Sequence, residues 1–316
     1  MKFHKMRNIF PQNNVARYNL AVWQKSHENS LFLIGREVAE PGKEGEPDTG
    51  ILKLFEVDTN GSITQEKVIW KPIYDGISVE DPRALELPNE NLVIGLTAVL
   101  RNKKGNPIPF PALVRIDSQN SWIDELPPLL IIDSFGPGKN LTPIDVNTFL
   151  FRPDSPDYNH KLLVFSLNSQ IPKKLTDIEF PSNIPWASWR IGTTMPPLWI
   201  NPHEALFIIH GISLKIIDGK EKYIYNIGRA KLIRNENIYR VVVAPEPILT
   251  PDDFLDTNGL PLVKELHPEL RRVVYSCGGV IKKQSSDKFS LYVNVGDRTT
   301  YEVEFSLNEL KEGLFV

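Results

Sequence analysis

One cysteine, Cys277, stands in a chain of 316 residues. An internal disulfide and a cysteine-built zinc site are therefore excluded. Its neighbours Val273, Val274, Val280 and Ile281 are apolar, the setting of a buried structural thiol rather than a nucleophile. A surplus of positive charge is also missing: 36 Lys and Arg against 39 Asp and Glu leave a net charge of −3. A broad nucleic-acid footprint needs the opposite balance. Basic pairs such as Lys103-Lys104 and Arg271-Arg272 lie in mixed surroundings and read as solvated surface. No stretch approaches the ~18 apolar residues of a membrane span, so no membrane partner is expected. The opening Met1-Lys2-Phe3-His4-Lys5-Met6-Arg7 is basic with no apolar run behind it, unlike a signal peptide, and a cytoplasmic address is expected. No histidine–carboxylate spacing suggests a metal, and no glycine-rich loop of nucleotide type occurs. Neither a metal nor an organic cofactor is expected.

Long helical periods are scarce too. The 26 prolines are spread along the chain, which breaks helices and suits short strands joined by turns. The exception is Ser306-Leu307-Asn308-Glu309, a capping box leading into Leu310 and Leu314, which predicts a short C-terminal helix. Elsewhere the pattern predicts strands at Leu31–Ile34, Ile51–Val57, Asn91–Leu100, Ala112–Ile116, Thr148–Phe151 and Lys161–Ser166. Others follow at Ala205–His210, Ile224–Leu232, Arg240–Val243, Arg272–Tyr275 and Leu291–Val295. So many short strands without interleaved helices indicate an all-β sandwich, barrel or propeller.

A recurrence favours the last. The apolar strands near Leu31, Asn91, Thr148 and Ala205 start at intervals of roughly 56 to 60 residues, and another begins near Leu291. Each ends at a polar or glycine-marked spot: Gly35-Arg36, Gly95-Leu96-Thr97, Arg152-Pro153, His210-Gly211 and Gly296-Asp297. A repeat of about 50 residues is the mark of propeller blades. Residues 1–316 are thus read as one five-bladed β-propeller domain, with a two-sheet sandwich carrying insertions as the alternative. In a propeller, Arg36, Asp81, Arg152, His210 and Asp297 would meet around one axial pocket.

Two carboxylates and a guanidinium crowd the stretch Glu80-Asp81-Pro82-Arg83, with Asp75 just upstream. In an extended strand Glu80 and Asp81 point to opposite faces, and Asp81 and Arg83 share one. Taken alone, the stretch reads either as an exposed Asp-Pro turn or as one carboxylate entering a pocket while the other anchors a blade.

Val79-Glu80-Asp81-Pro82-Arg83, followed by a run ending Gly95-Leu96-Thr97-Ala98, resembles the signature of family 130 of the glycoside hydrolases. These are β-mannoside phosphorylases and β-mannosidases on a five-bladed propeller. Further pieces follow in the same order. Lys139-Asn140 and Phe149 to Arg152-Pro153 are similar to that family's lysine turn and "HRP" strand. Ile191-Gly192 to Pro196-Pro197, then Phe207 to His210-Gly211, resemble its "IGxGxPP…YHG" segment. Tyr225 to Gly228, Glu246 to Leu249, Ser276 to Val280 and Leu291 to Gly296 resemble its later motifs.

The resemblance implies roles. Asp81 would be the general acid that protonates the departing glycosidic oxygen, through a hydroxyl of the bound mannose in the phosphorylases. The chemistry would be inverting, through an oxocarbenium-like transition state. An acid working at neutral pH needs desolvation or a carboxylate neighbour. Arg152, His210 and Lys139 would bind phosphate, the co-substrate; arginine's fork suits two of its oxygens. His210 also has a plain reading as a satisfied strand histidine. Arg36, Asn14, Arg83 and Asp297 would bind sugar, although Asn14 reads equally as a turn residue. Trp186, Trp189 and Trp199 flank the Gly-Pro-Pro loop; core or rim packing is the default for each, and sugar stacking the alternative.

The chain departs from the family where Lys139-Asn140-Leu141 carries leucine in place of a further arginine, where "GAADT" becomes Gly296-Asp297-Arg298-Thr299-Thr300, and where "YHG" becomes Ile209-His210-Gly211. The lost cation could be replaced by Lys139, Arg190 or Arg298. An inverting hydrolase would instead need a second carboxylate about 6.5–9.5 Å from the acid to activate water, and Glu204 and Asp154 are the candidates. The expected activity is therefore phosphorolysis of β-manno-oligosaccharides, giving α-mannose 1-phosphate. Hydrolysis on the same fold is the alternative, and a non-catalytic glycan-binding propeller is a third reading. The sequence leaves linkage preference and homo-oligomer formation open.

Overall fold

The computed structural model describes residues 3–10, 15–24, 30–40, 42, 48–58, 60–72, 78–88, 91–116, 123–168, 171–217, 219–267, 270, 272–282 and 285–315. Asn14, Asp75 and Arg271, singled out above, lie outside the described residues.

Strand β1 (Lys5–Asn8) comes first and is used last. Blade 1 follows with β2 (Ala16–Trp23), β3 (Leu31–Val38), β4 (Ile51–Val57) and β5 (Ile63–Trp70). Blade 2 holds β6 (Ser78–Glu86), β7 (Leu92–Arg101), β8 (Pro107–Ile116) and β9 (Leu130–Ile131). Blade 3 holds β10 (Gly138–Pro143), β11 (Thr148–Pro153), β12 (Lys161–Ser166) and β13 (Lys173–Glu179). Blade 4 holds β14 (Arg190–Thr193), β15 (Leu198–Trp199), β16 (Glu204–Ile217), β17 (Lys220–Asn235) and β18 (Ile238–Val243). Blade 5 holds β19 (Val274–Ile281), β20 (Lys288–Val295) and β21 (Thr299–Ser306), and takes β1 as its outer strand, with Lys5 opposite Glu304 and Asn8 opposite Tyr301. These five separate antiparallel sheets form a five-bladed β-propeller, not a two-sheet sandwich. Helix α1 (Leu307–Lys311) closes the chain, and Ser306 accepts a hydrogen bond from the Glu309 amide, as the capping box requires.

Each blade buries both faces against its neighbours. That is why second strands read as nearly unbroken apolar runs, such as Leu92–Val99 in β7. Trp23, Phe32, Ile34 and Leu54 of blade 1 pack on Val79, Leu92, Ile94 and Leu96 of blade 2. Similar layers join blades 2 and 3 around Phe149 and Phe165, blades 3 and 4 around Trp186 and Phe207, and blades 4 and 5 around Phe254 and Phe289. The ring closes through Tyr292 of blade 5 against Leu20, Leu33 and Phe55 of blade 1.

The recurring strands of the sequence are β3, β7, β11, β16 and β20, the second strand of every blade. The innermost strands β2, β6, β10, β14 and β19 approach one another around the axis, which requires close backbone contact. At Gly95 in β7 a Cβ would sit 2.2 Å from the Leu141 carbonyl oxygen in β10. Replacing Gly95 by alanine is expected to lower stability by roughly 1–3 kcal/mol, because backbone rather than a movable side chain stands in the way. Urea denaturation should report this as a lower midpoint with an unchanged slope.

Candidate active site

Four of the five innermost strands carry a register irregularity at the same level: between Tyr18 and Ala21 in β2, Glu80 and Arg83 in β6, Lys139 and Thr142 in β10, and Ser276 and Gly278 in β19. In the first three, an Asx residue sits at the irregularity in the left-handed region: Asn19 (φ 56°), Asp81 (φ 52°) and Asn140 (φ 66°). Asn and Asp tolerate this conformation better than other side chains, and a bulge re-aims the residues around it.

The consequence at β6 corrects the sequence reading. The period-two rule puts Glu80 and Asp81 on opposite faces, but the left-handed turn at Asp81 sends both into the same cavity. Arg83 does not share that face. It is fully buried beneath the cavity and is not among the lining residues, so the structure does not place it as a sugar ligand. Its guanidinium donates to the Asp81 carbonyl (2.8 Å), to Asn140 Oδ1 (3.0 Å), to the Thr193 carbonyl (3.2 Å) and to the Tyr275 hydroxyl.

The cavity has a volume of about 170 Å³ and opens on the axis. Blade 1 supplies Asn19 and Arg36, blade 2 Glu80 and Asp81, blade 3 Lys139, Asn140 and Arg152, blade 4 His210, Ile212 and Tyr225, and blade 5 Tyr275 and Asp297. The expected residues Arg36, Asp81, Lys139, Arg152, His210 and Asp297 thus converge. They are not all equivalent in the repeat. Arg36, Arg152 and His210 stand at matching positions of second strands, opposite Tyr18, Lys139 and Gly192, whereas Asp81 lies on an innermost strand. Gly192 makes the convergence possible: a Cβ there would lie 2.3 Å from Asn140 Nδ2 and 2.4 Å from His210 Nε2.

One side of the cavity is an alternating charge lattice. Arg36 donates to the Asp48 carbonyl (2.5 Å), lies 3.4 Å from Glu80 and sits over the Tyr18 ring. Lys139 Nζ is 3.3 Å from the other Glu80 oxygen. Burial alone would push Glu80 up, but the charges of Arg36 and Lys139, with hydrogen bonds from Lys139 and Ser78, hold its carboxyl below the ordinary value. The charge of Glu80 in turn raises Lys139. Asn19 Nδ2 donates to Asp81 Oδ1 at 2.6 Å. Asn294 Nδ2 donates to Asn19 Oδ1 at 3.1 Å and to Asp297, so two amides link the carboxylates of blades 2 and 5. Burial, reinforced by the charge of Asp81 and outweighing the Asn294 hydrogen bond, pushes Asp297 up to about 6.

Beside Lys139, the wall formed by Arg152 and His210 is desolvated. Arg152 is lowered by burial and by the charge of Arg190, and Arg152 Nη1 is buried without a hydrogen-bond partner. His210 is held well below its ordinary value by burial and by the charges of Arg152 and Arg83, so it is neutral; its Nδ1 also lacks a partner. These groups form a desolvated set with no carboxylate among the strongest charges acting on Arg152.

Glu204 and Asp154 do not reach the cavity. Glu204 pairs with Lys231 at 3.1 Å, and Asp154 lies 3.6 Å from Arg190 on the surface. Trp186 is core, wedged beneath Gly211 and Gly228, and Trp199 packs under Arg234. Leu141 is fully buried. Cys277 is buried, and desolvation raises its thiol well above the ordinary value, as a structural role requires. Among the described residues no cluster suited to a metal ion is present, and no helix is long and apolar enough to cross a membrane. Sequence reasoning missed Asn19, Tyr225, Tyr275 and Asn294. For Asn19 the available signal was an Asx residue inside an otherwise apolar strand.

Two tests probe this arrangement. Arg83→Met would remove the buried donor to the Tyr275 hydroxyl and to two carbonyls, and leave Asn140 Oδ1 with Tyr275 alone; a loss of roughly 3 kcal/mol or more is expected in denaturant titrations. The Asp297 carboxyl, raised in the folded state from 3.8 to about 6, binds its proton more tightly there than in the unfolded chain. Its contribution is therefore neutral below about 4 and turns destabilising as pH rises to about 6. Asp297→Asn should gain stability relative to wild type across that window, and equal pH profiles would contradict the assignment.

No protein-family model matches this chain, and no curated protein matches its sequence. Solved structures do. The β-1,2-mannobiose phosphorylase of Listeria innocua, in complex with β-1,2-mannobiose, superposes with a TM-score of 0.65 at 15% identity, covering 98% of this chain and 93% of that one. A glycosyl hydrolase from Bacteroides ovatus gives 0.64 at 15% identity, over 93% and 85% of the two chains. A mannose phosphorylase from Leishmania mexicana, in complex with a phosphate ion, gives 0.58 at 14% identity, over 96% and 89%. At these identities what is shared is the fold: the chain has the five-bladed propeller of these proteins.

Proposed function

We propose that this propeller is a carbohydrate-active enzyme, an inverting β-mannoside phosphorylase that cleaves manno-oligosaccharides with inorganic phosphate and releases α-mannose 1-phosphate. The observation that carries the reading is the unpaired N–H of Arg152, buried beside His210 in the same cavity as Asp81. Phosphate is already nucleophilic and needs cations to hold it, not a base. A buried arginine with an unsatisfied N–H is costly unless an anion completes it, and neutral His210, whose one N–H is engaged by the Thr193 backbone, leaves Nδ1 to accept from a phosphate hydroxyl. A fold held in common with a mannobiose phosphorylase and a phosphate-bound mannose phosphorylase supports the same reading.

In this mechanism Arg152 and His210 hold phosphate against the α face of the mannose C1. Asp81 gives its proton, by way of a sugar hydroxyl, to the glycosidic oxygen. The C1–O bond to the leaving sugar breaks as a phosphate oxygen bonds C1, with inversion. Asn19 fixes the Asp81 carboxyl, and Arg36, Lys139 and Asp297 supply hydrogen-bonding partners for the sugar hydroxyls. Asn14 remains a candidate sugar ligand from the sequence alone. A cytoplasmic setting suits the reaction, because the sugar phosphate retains the energy of the bond only where it can be used.

A second reading is hydrolysis, and Asp297 favours it: a cavity carboxyl raised to about 6 has the character of a base for water. Incubation with β-1,2- or β-1,4-mannobiose, with and without phosphate, separates the two. Phosphate-dependent formation of α-mannose 1-phosphate is expected. Mannose release without phosphate would overturn phosphorolysis, and binding without turnover would leave a glycan-binding propeller. Asp81→Asn is expected to cut turnover by about 10²-fold or more; full activity would remove it from the role of acid.

A further inference from the structure

Strands β16 and β17 run well past the cavity. Ile212 and Tyr225, which face each other across the pair, line its wall. Beyond them the hairpin continues to Ile217 and Lys220, turning near Gly219 (φ 73°). Alternation along a strand puts Leu214 and Ile216 on the same side as Ile212, and Tyr223 on the same side as Tyr225. Leu214 and Tyr223 are themselves a cross-strand pair. The cavity wall therefore extends outward as an apolar and aromatic face. That face is exposed: Leu214 is 36%, Tyr223 48% and Ile216 77% accessible. On the other side of the hairpin, Lys215 stands opposite Lys222. The Tyr223 ring is braced by Trp189, with centroids 4.6 Å apart, and Trp189 is braced by Arg190 at 4.5 Å. The cavity side thus shows Leu214, Ile216 and Tyr223, with Glu221 opposite Ile216, and the other side shows Lys215 and Lys222 between buried Ile224 and half-buried Ile217; three exposed apolar side chains on the cavity side have no evident reason in core packing.

Resting on the carbohydrate reading above, we infer that this face is a second sugar subsite: a pyranose ring of the manno-oligosaccharide, projecting from the cavity, stacks on Tyr223 beside Leu214. The size of the cavity supports this occupant. Its volume of about 170 Å³ falls below the roughly 300–1,000 Å³ typical of ligand pockets, so it takes the end of a chain and leaves the next residues at its mouth. An aromatic ring held by a neighbour offers a flat apolar surface at little entropic cost, and the apolar face of a pyranose matches it. The subsite would give the enzyme a preference for longer substrates without touching the reacting atoms.

Calorimetric titration of the full-length protein, without phosphate, tests the inference independently of turnover. The probes are mannose and the β-1,2- and β-1,4-linked mannotrioses. Wild type is expected to bind at least one trisaccharide about tenfold or more tightly than mannose. Tyr223→Ala should abolish most of that gain with mannose affinity kept, Tyr223→Phe should restore it, and Lys215→Ala, on the opposite face, should retain it. The inference is overturned if Tyr223→Ala keeps the whole gain, or if wild type binds trisaccharide no better than mannose. It is equally overturned if Tyr223→Ala converts a dimer to a monomer in light scattering, which would assign the face to a second copy of the chain. Length-dependent binding without turnover would sink the enzymatic reading and leave the subsite standing; turnover with no length dependence would do the reverse.

Discussion

A single guanidinium lies under the cavity with no water-facing surface. Arg83 hydrogen-bonds a carbonyl of its own blade, an amide oxygen of blade 3, a carbonyl of blade 4 and a hydroxyl of blade 5. A propeller joins its blades mainly by apolar layers, which set spacing but not angle. The fork of Arg83 adds direction, because its N–H groups leave the plane at fixed angles. Burial opposes its charge, yet the Tyr275 hydroxyl, the Cys277 thiol and Asp81 favour the charged form and keep its affinity for the proton above the ordinary value. The floor of the site and the axis of the fold are therefore one network. A side chain that sets the inter-blade geometry also fixes the backbone from which Asp81 projects.

Around that hub the same backbone device recurs. Asn19, Asp81 and Asn140 each occupy a left-handed conformation at a bulge in an innermost strand. The three turn polar side chains toward the centre, and their roles differ. Asn19 donates to Asp81, Asp81 faces the cavity, and Asn140 accepts from Arg83 and Tyr275. The result is an electrostatic division. Blades 1 and 2 bring Arg36 and Glu80 together, with Lys139 reaching across from blade 3, and their charges compensate. Next to Lys139, Arg152 is desolvated with no carboxylate among the strongest charges acting on it, beside neutral His210.

Much of the fold was legible because β3, β7, β11, β16 and β20 bury both faces and so read as apolar runs at a regular interval. The innermost strands were not. Ser78–Glu86 and Gly138–Pro143 are polar and bulged, and a pattern built on alternation fails where one residue turns left-handed. The same failure explains why Glu80 was expected to anchor a blade and Arg83 to share the face of Asp81. The pocket residues on second strands, Arg36, Arg152 and His210, were found because they end apolar runs. Asn19 and Asn294 carry no such mark: each is one amide in an otherwise apolar strand, and its use is visible only once two blades are brought side by side.

The closure of the ring by β1 has a consequence for assembly. Lys5 finds its partner Glu304 almost a full chain length later. During synthesis, blades 1 to 4 can each form from local hairpins as they emerge. Residues 5–8 must wait, and the sheet edge at β21 stays open until they arrive. Pairing of β1 with β21 thus joins segments that lie far apart in the sequence. Until β1 pairs, the β21 edge lacks its partner strand, and open edges and uncovered apolar blade faces are where a partly formed propeller is exposed to misassociation.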